Sequence, residues 1–167
     1  RVDNGDVRAV RVDLGVEAGA VGQGQLQRIA LAVSAGGVYC SEDSGGSWRP
    51  ANAGVRADYL PGPDQIAGHN VHRLIMHPRA PGRLYRQCYN GIYRSDDWGR
   101  GWTEITAGLP SDFGYAIATP AGDPDTLFQI PESGSHMRTT VDGRLRVYRS
   151  RDAGNSWESA SGGLPQE

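Results

Sequence analysis

Apolar residues in this chain come in short runs, each closed by a cluster of Gly, Pro, Asp, Asn or Ser. Val38-Tyr39, Leu74-Ile75-Met76, Leu84-Tyr85, Ile92-Tyr93, Tyr115-Ala116-Ile117-Ala118, Leu127-Phe128 and Val147-Tyr148 are such runs. Proline-bearing segments, Pro78 to Pro81 and Pro120 to Pro124, separate the members of two pairs. Short runs rich in β-branched and aromatic residues, bounded by turn formers, predict strands. No stretch carries the 3.6-residue period of a convincing helix. The expectation is an all-β chain.

The turn formers are themselves patterned. Ser41-Glu-Asp43-Ser-Gly45-Gly-Ser-Trp48, Ser95-Asp-Asp97-Trp-Gly99-Arg-Gly-Trp102 and Ser150-Arg-Asp152-Ala-Gly154-Asn-Ser-Trp157 are three copies of one phrase, their serines 54 and then 55 residues apart. A β-branched residue and a Tyr precede each Ser, and each Trp is followed six residues later by Gly54, Gly108 or Gly163 and then Val55, Leu109 or Leu164. Self-similarity at such a period marks stacked copies of one supersecondary unit. The phrase reads as a hairpin turn. A strand ends at Ser, and the short Ser and Asp side chains accept hydrogen bonds from backbone N–H groups of the turn. The following Gly supplies a positive φ that a Cβ resists. Trp opens the returning strand and buries its ring against the sheet, leaving the indole N–H to find a partner.

The phrase resembles the Asp box, or BNR repeat, of sialidases, sortilin-type receptors, large xyloglucan-degrading enzymes and a photosystem II assembly factor. From about Val71 to Pro165 the chain is also similar to bacterial proteins described as WD40/YVTN/BNR-like repeat proteins. The resemblance extends from about Val7 to Pro165 and implies a β-propeller. It makes Ser41, Asp43, Gly45, Trp48, Ser95, Asp97, Gly99, Trp102, Ser150, Asp152, Gly154 and Trp157 structural residues. The expected fold is an all-β propeller segment of about three four-stranded antiparallel blades, near 7–53, 69–107 and 113–161. Propellers close with about four to eight blades. The other blades of a six- to eight-bladed ring are therefore expected from a longer parent protein, or from another copy of this chain. For activity the resemblance is nearly silent, because one blade design serves unrelated functions.

Function is expected where the copies differ, since connections carry the variation a scaffold tolerates. If each blade meanders outward from the axis, the boxes lie on one face and the longer connections, between Trp48 and Val71 and between Phe128 and Val147, lie on the other. These bring together Asp58, Tyr59, Asp64, His69 and His72, with Arg73 on an innermost strand, and Glu132, His136, Arg138 and Asp142. Three of the four histidines are in this group. One reading is a ligand pocket in which Arg73 and Arg138 grip a carboxylate or sugar acid. The other is that His69 and His72 pin the loop to the second blade while the acids are solvated. A Gly/Ala/Gln-rich expansion from Asp13 to Arg28 reads as a flexible surface loop.

Composition narrows the classes. A formal charge of −2 indicates no strong field for nucleic acid or an acidic membrane. All 17 basic residues are arginine, read as coding bias, although arginine is also the better carboxylate clamp. The alternating Arg144, Arg146, Arg149 and Arg151 read as a solvated or inter-blade face. Cys40 and Cys88 sit at non-equivalent repeat positions and are expected as free, buried thiols. No apolar run is long enough for a membrane span. A soluble protein is expected, its compartment open with a cytoplasmic one favoured; the chain starts at Arg1 without a visible signal peptide.

His69-x-x-His72 with His136 is a weak zinc pattern, and one Asp per box is too few oxygens for calcium. Neither a metal nor a cofactor is expected. Gly22-x-Gly24 lacks the context of a dinucleotide loop, and no nucleophile elbow is present. The opening Arg-Ile-Pro of sialidases and their Tyr/Glu pair are absent, so that resemblance carries over the blade and not the reaction. The leading expectation is a recognition or scaffold module with a glycan or protein ligand on the face opposite the boxes. The alternative is a glycoside hydrolase with catalytic residues partly outside this chain, in which Asp58 or Asp64 faces Glu132.

Overall fold

The computed structural model describes residues 28–61, 69–77 and 79–165. They form three antiparallel sheets in which each strand pairs with the next along the chain. The first holds β1 (Ile29–Val33), β2 (Gly37–Ser41) and β3 (Arg49–Pro50). The second holds β4 (Val71–His77), β5 (Ala80–Cys88), β6 (Gly91–Ser95) and β7 (Thr103–Glu104). The third holds β8 (Gly114–Ala118), β9 (Leu127–Pro131), β10 (Tyr148–Ser150) and β11 (Glu158–Ser159). The inner strand expected near Val7, and the expansion from Asp13 up to residue 27, lie outside the described residues. Among the described residues no helix is long and apolar enough to cross a membrane.

The core lies between the sheets. Side chains alternate across a strand, and a sheet covered on both faces needs apolar residues on both. Thus Leu84 and Cys88 of β5 pack with Ala32, Val38, Cys40 and Ala51 of the first sheet. Tyr85, between them in sequence, packs with Ile117 and Leu127 of the third. Cys40 and Cys88 are buried thiols, and burial pushes the Cys40 pKa up to about 11. Arg86 breaks this apolar pattern, fully buried in the first boundary. Its guanidinium lies 4.9 Å from the Trp102 ring, with Nη1 donating to Asn52 Oδ1 at 2.9 Å and Nε to Cys88 Sγ at 3.0 Å.

The three serine-to-tryptophan phrases are turns between the last two strands of each sheet. The Oγ of Ser41, Ser95 and Ser150 accepts the N–H of Gly45, Gly99 and Gly154, each at 2.8 Å. The same hydroxyls donate to Asp43, Asp97 and Asp152 at 2.7–2.8 Å. Ser47 and Ser156 hydroxyls, each 2.6 Å from the carboxylate, are the main reason Asp43 and Asp152 have pKa values held down to about 2. Asp97 is also held low, chiefly by the N–H of Gly101. The glycines have positive φ as expected, and so do the residues before them, Ser44, Trp98 and Ala153, at 58–61°. A left-handed non-glycine costs about 1–2 kcal/mol, which the repeated Ser and Asp bonds offset.

The tryptophans correct the expectation that each ring buries against its own sheet. Trp102 Nε1 donates to Ala51 O and Trp157 Nε1 to Ile105 O, both at 2.8 Å. Each acceptor belongs to the preceding sheet, because the turn aims the ring across the gap. A second latch recurs beside it. The N–H groups of Val38, Ile92 and Val147 donate to the side chains of Asn52, Thr106 and Ser161 at 2.9–3.0 Å.

Candidate functional site: an aromatic face opposite the turns

A meander places successive turns at alternate ends of a sheet. The serine-to-tryptophan turns therefore gather at one end, while the β5–β6 turn, the long β9–β10 connection and the links between sheets gather at the other. At that second end five rings meet. Tyr59, from the link after β3, lies edge-on to Tyr89 of the β5–β6 turn, with centroids 5.2 Å apart. Tyr89 reaches Phe113 at 5.8 Å, and Phe113 reaches Tyr115 of β8 at 5.5 Å. His72 of β4 stacks on Tyr115 at 4.3 Å and meets Phe113 edge-on at 5.3 Å.

The two long connections converge here through one residue. The Tyr89 ring touches Tyr59, while its hydroxyl is 2.9 Å from Ser135 Oγ in the β9–β10 connection. The hydroxyl of Tyr59 in turn accepts the N–H of Asn70 at 2.7 Å. Glu132 stands at the base of the hairpin that carries Ser135, His136 and Arg138. Its N–H donates to Phe113 O at 3.0 Å, and it bridges to Thr140. Arg138 projects over the Tyr115 ring, 5.6 Å from the centroid. A cavity of about 380 Å³ opens between Tyr89, Asp112, Phe113 and the Ser133 to Met137 segment, His136 included.

His72 does not pin the loop to its own blade, as one reading expected. Its Nδ1 donates to Gly114 O of the third sheet at 2.7 Å. A carbonyl only accepts, so Nδ1 carries the proton and Nε2 of the neutral ring is an acceptor. Burial pushes the His72 pKa below its ordinary value, partly opposed by that bond and aided by the Arg138 charge. The ring is neutral at physiological pH. Tyr59 is pushed up by burial and keeps its proton.

Other expected site residues lie apart. Asp58 is exposed at the rim and paired with Arg56 at 3.3 Å; Arg56 also holds Glu104 at 2.8 Å and Asp112 at 3.6 Å. His69 is buried, and Asp142 pairs with Arg146 at 3.4 Å. Arg73, half-buried, lines a separate cavity of about 260 Å³ with Tyr115, Phe128 and Ile130 on the open side of the third sheet. Asp64 lies outside the described residues. Among the described residues no group of three or more His, Cys, Asp or Glu could hold a metal. Sequence reasoning missed Tyr89, Phe113, Tyr115 and Ser135 as members of this face. A signal existed: of seven tyrosines, only Tyr39, Tyr93 and Tyr148 belong to the repeat, and three of the other four meet here.

Meandering sheets stacked face to face, latched by the same bonds at each boundary, form a β-propeller segment. No family model matches the chain. Among curated proteins it is similar to a probable oligoxyloglucan-reducing end-specific xyloglucanase of Neosartorya fischeri, 28% identical over 109 residues, 64% of this chain and 12% of that protein. It is also similar to a xyloglucanase of Hypocrea jecorina, 25% identical over 124 residues, 74% of this chain and 12% of that protein. The chain thus spans 12% of the length of each. Among solved structures, an ancestral GH74 enzyme superposes with a TM-score of 0.57 at 16% identity, covering 92% of this chain and 18% of that one. The GH74 enzyme of Niastella koreensis gives 0.58 at 19% identity, covering 83% and 20%.

Proposed function

We propose that this segment recognises a glycan chain on its aromatic face, as part of a glycoside-hydrolase-like propeller of the Asp-box (BNR) type whose catalytic residues lie partly outside these 167 residues. The observation that carries this is the convergence of Tyr59, Tyr89, His72 and Tyr115 around the buried Phe113 at one end of the sheets, from two sheets and the links before each. Pyranose rings present apolar C–H faces that pack on aromatic rings, and their hydroxyls need nearby polar tips. The hydroxyl of Tyr89, Nε2 of His72 and the guanidinium of Arg138 are such tips. The xyloglucanase relatives support a glycan ahead of a protein ligand and favour the hydrolase reading over the scaffold one.

Recognition is assigned to this chain, and at least part of the catalytic set to the larger protein, on chemical grounds. A glycosidase needs two carboxyl groups set across the scissile bond, one of them raised in pKa to serve as acid. Asp58 is tied to Arg56 at the rim, and among the described residues the carboxyl groups whose pKa is displaced, Asp43, Asp97, Asp123, Asp152 and Glu158, are displaced downward.

The test is calorimetric titration with a xyloglucan oligosaccharide. Tyr89→Ala removes a ring for a pyranose face to pack on and a hydroxyl that can bond its oxygens, about 1.5–3 kcal/mol together, so affinity should fall about 10- to 100-fold. Unchanged affinity in Tyr89→Ala, or no binding by the parent chain, refutes the proposal. Reducing-sugar release that falls on Asp58→Asn or Glu132→Gln would instead locate catalysis in this chain.

A further inference from the structure

The link between β7 and β8 crosses the aromatic end from the last strand of the second sheet to the first strand of the third, and it carries Asp112 immediately before Phe113. The main chain there is held from beneath. The carbonyl of Asp112 accepts Nε2 of Gln87, a fully buried side chain, at 3.1 Å, and the N–H of Phe113 donates to Ser111 Oγ at 3.1 Å. On one side of this ridge lies the cavity of about 380 Å³ beside the Ser133 to Met137 segment. On the other lies a cavity of about 520 Å³ lined by Arg56, Glu104, Thr106, Leu109 and Asp112 among others. Asp112 is a wall of both.

The second cavity is built from groups that bond hydroxyls. The Arg56 guanidinium is fixed, with Nε and Nη2 donating to the two oxygens of Glu104 at 2.9 and 2.8 Å and Nη2 also to Asn90 O at 3.1 Å. Its Nη1 gives one N–H to Asp58 at 3.3 Å and has a second to give. A carboxylate has about four acceptor positions, of which Arg56 takes one on each Glu104 oxygen. The Asp112 carboxylate stands 3.6 Å from Arg56, too far for a hydrogen bond, so this ion pair leaves both its oxygens as acceptors. Because the positive charge already faces Asp58, Glu104 and Asp112, the cavity presents no unmatched cation to an acidic ligand. A pinned carboxylate beside a pinned guanidinium, one accepting and the other donating, suits the neighbouring hydroxyls of an uncharged sugar. Groups already held in place lose little freedom on binding.

We infer that the glycan site extends across Asp112 into the Arg56–Glu104 cavity, which forms an outer subsite for a further uncharged pyranose of the same chain. The inference rests on the glycan reading above and adds chain length to it. The rings of the inner cavity pack on sugar faces, the charged groups of the outer cavity bond sugar hydroxyls, and Asp112 accepts from units on either side of the ridge.

NMR titration of the full 167-residue chain with an unbranched β-glucan disaccharide and hexasaccharide tests this. The hexasaccharide should bind about 10- to 100-fold more tightly, and the amide signals of Thr106 and Leu109 should move with the hexasaccharide only. Glu104→Gln replaces one outer acceptor oxygen by a donor. Ala107→Arg, at an exposed position lining the same cavity, sets a second guanidinium among the acceptors without touching the core. Each should remove most of the gain with length and leave disaccharide affinity within about twofold. Equal affinity for the two lengths, a gain that survives both substitutions, or Thr106 and Leu109 signals that stay still overturns the inference and leaves the glycan reading standing. So does a chain that binds a xyloglucan oligosaccharide and neither β-glucan. A chain that binds none of the three refutes both.

Discussion

Asn52→Ala removes one acceptor from two buried donors at once. Asn52 Oδ1 accepts the N–H of Val38 at 2.9 Å and Nη1 of Arg86 at 2.9 Å. Neither donor reaches water, since Val38 and Arg86 are both fully buried. A hydrogen bond to a charged group contributes about 1.5–3 kcal/mol and a neutral one about 1 kcal/mol. The substitution should therefore destabilise the fold by about 3 kcal/mol. Arg86 has no slack to compensate, because its Nη2 already lacks a partner. The equivalent side chains Thr106 and Ser161 each accept a single backbone N–H in this latch, so Thr106→Val and Ser161→Ala should cost about 1 kcal/mol each. For a chain of this size a kilocalorie moves the melting temperature by about 2–4 °C. Thermal unfolding followed by tryptophan fluorescence at one protein concentration should thus show a fall of about 6–12 °C for Asn52→Ala and about 2–4 °C for the other two. Asn52→Asp, which keeps the acceptor and offers Arg86 a carboxylate, should lose less than Ala. An Asn52→Ala variant no less stable than Thr106→Val would refute the claim that this side chain holds the buried guanidinium.

Acid should loosen the turns in a defined window. Asp43 and Asp152 titrate in the folded chain at about 2, below the unfolded value near 3.9, so their stabilisation is present above about pH 4 and is lost as pH falls through about 2. Ser47→Ala and Ser156→Ala remove the chief cause and should raise these carboxyl pKa values, read by NMR; Ser-to-Ala pairs that leave them unchanged would refute the assignment. Gly154 and Gly163 both have positive φ, but a Cβ on Gly154 would stand 2.9 Å from Ile105 Cβ while one on Gly163 would meet nothing within 4 Å. Gly154→Ala should therefore destabilise clearly more than Gly163→Ala, whose loss is the backbone strain of about 1–2 kcal/mol alone; equal losses in urea titrations would show that the boundary at Ile105 yields freely.

The propeller was legible because its repeat is written in residues that act locally. Ser, Asp and Gly close a turn within eight positions, so the spacing of Ser41, Ser95 and Ser150 reports strand ends without knowledge of the rest of the fold. The destination of the tryptophan rings was not legible, since the acceptors of Trp102 and Trp157 lie 51 and 52 residues back. The latch at Asn52, Thr106 and Ser161 was hidden by its changing residue type, which preserves an acceptor oxygen and nothing else. The candidate site was legible in part. Loop length pointed to the end of the sheets where the rings gather, and to Tyr59, His72, His136 and Arg138, which lie there. Charge misled at Asp58, which serves the Arg56 ion-pair cluster, and Tyr89 was overlooked because a lone aromatic in a two-residue turn carries no periodic signal.

Each boundary is closed by the same handshake: a ring offered backward by Trp102 or Trp157, a guanidinium offered forward by Arg49 to Trp98 O or Arg94 to Ala153 O, and apolar surface between. The cassette of 54 or 55 residues is therefore the natural quantum of change in length. Whole cassettes can be gained or lost with both neighbours still matched. A cut at any other interval strands an indole without its carbonyl, and the stack tolerates growth only in integers.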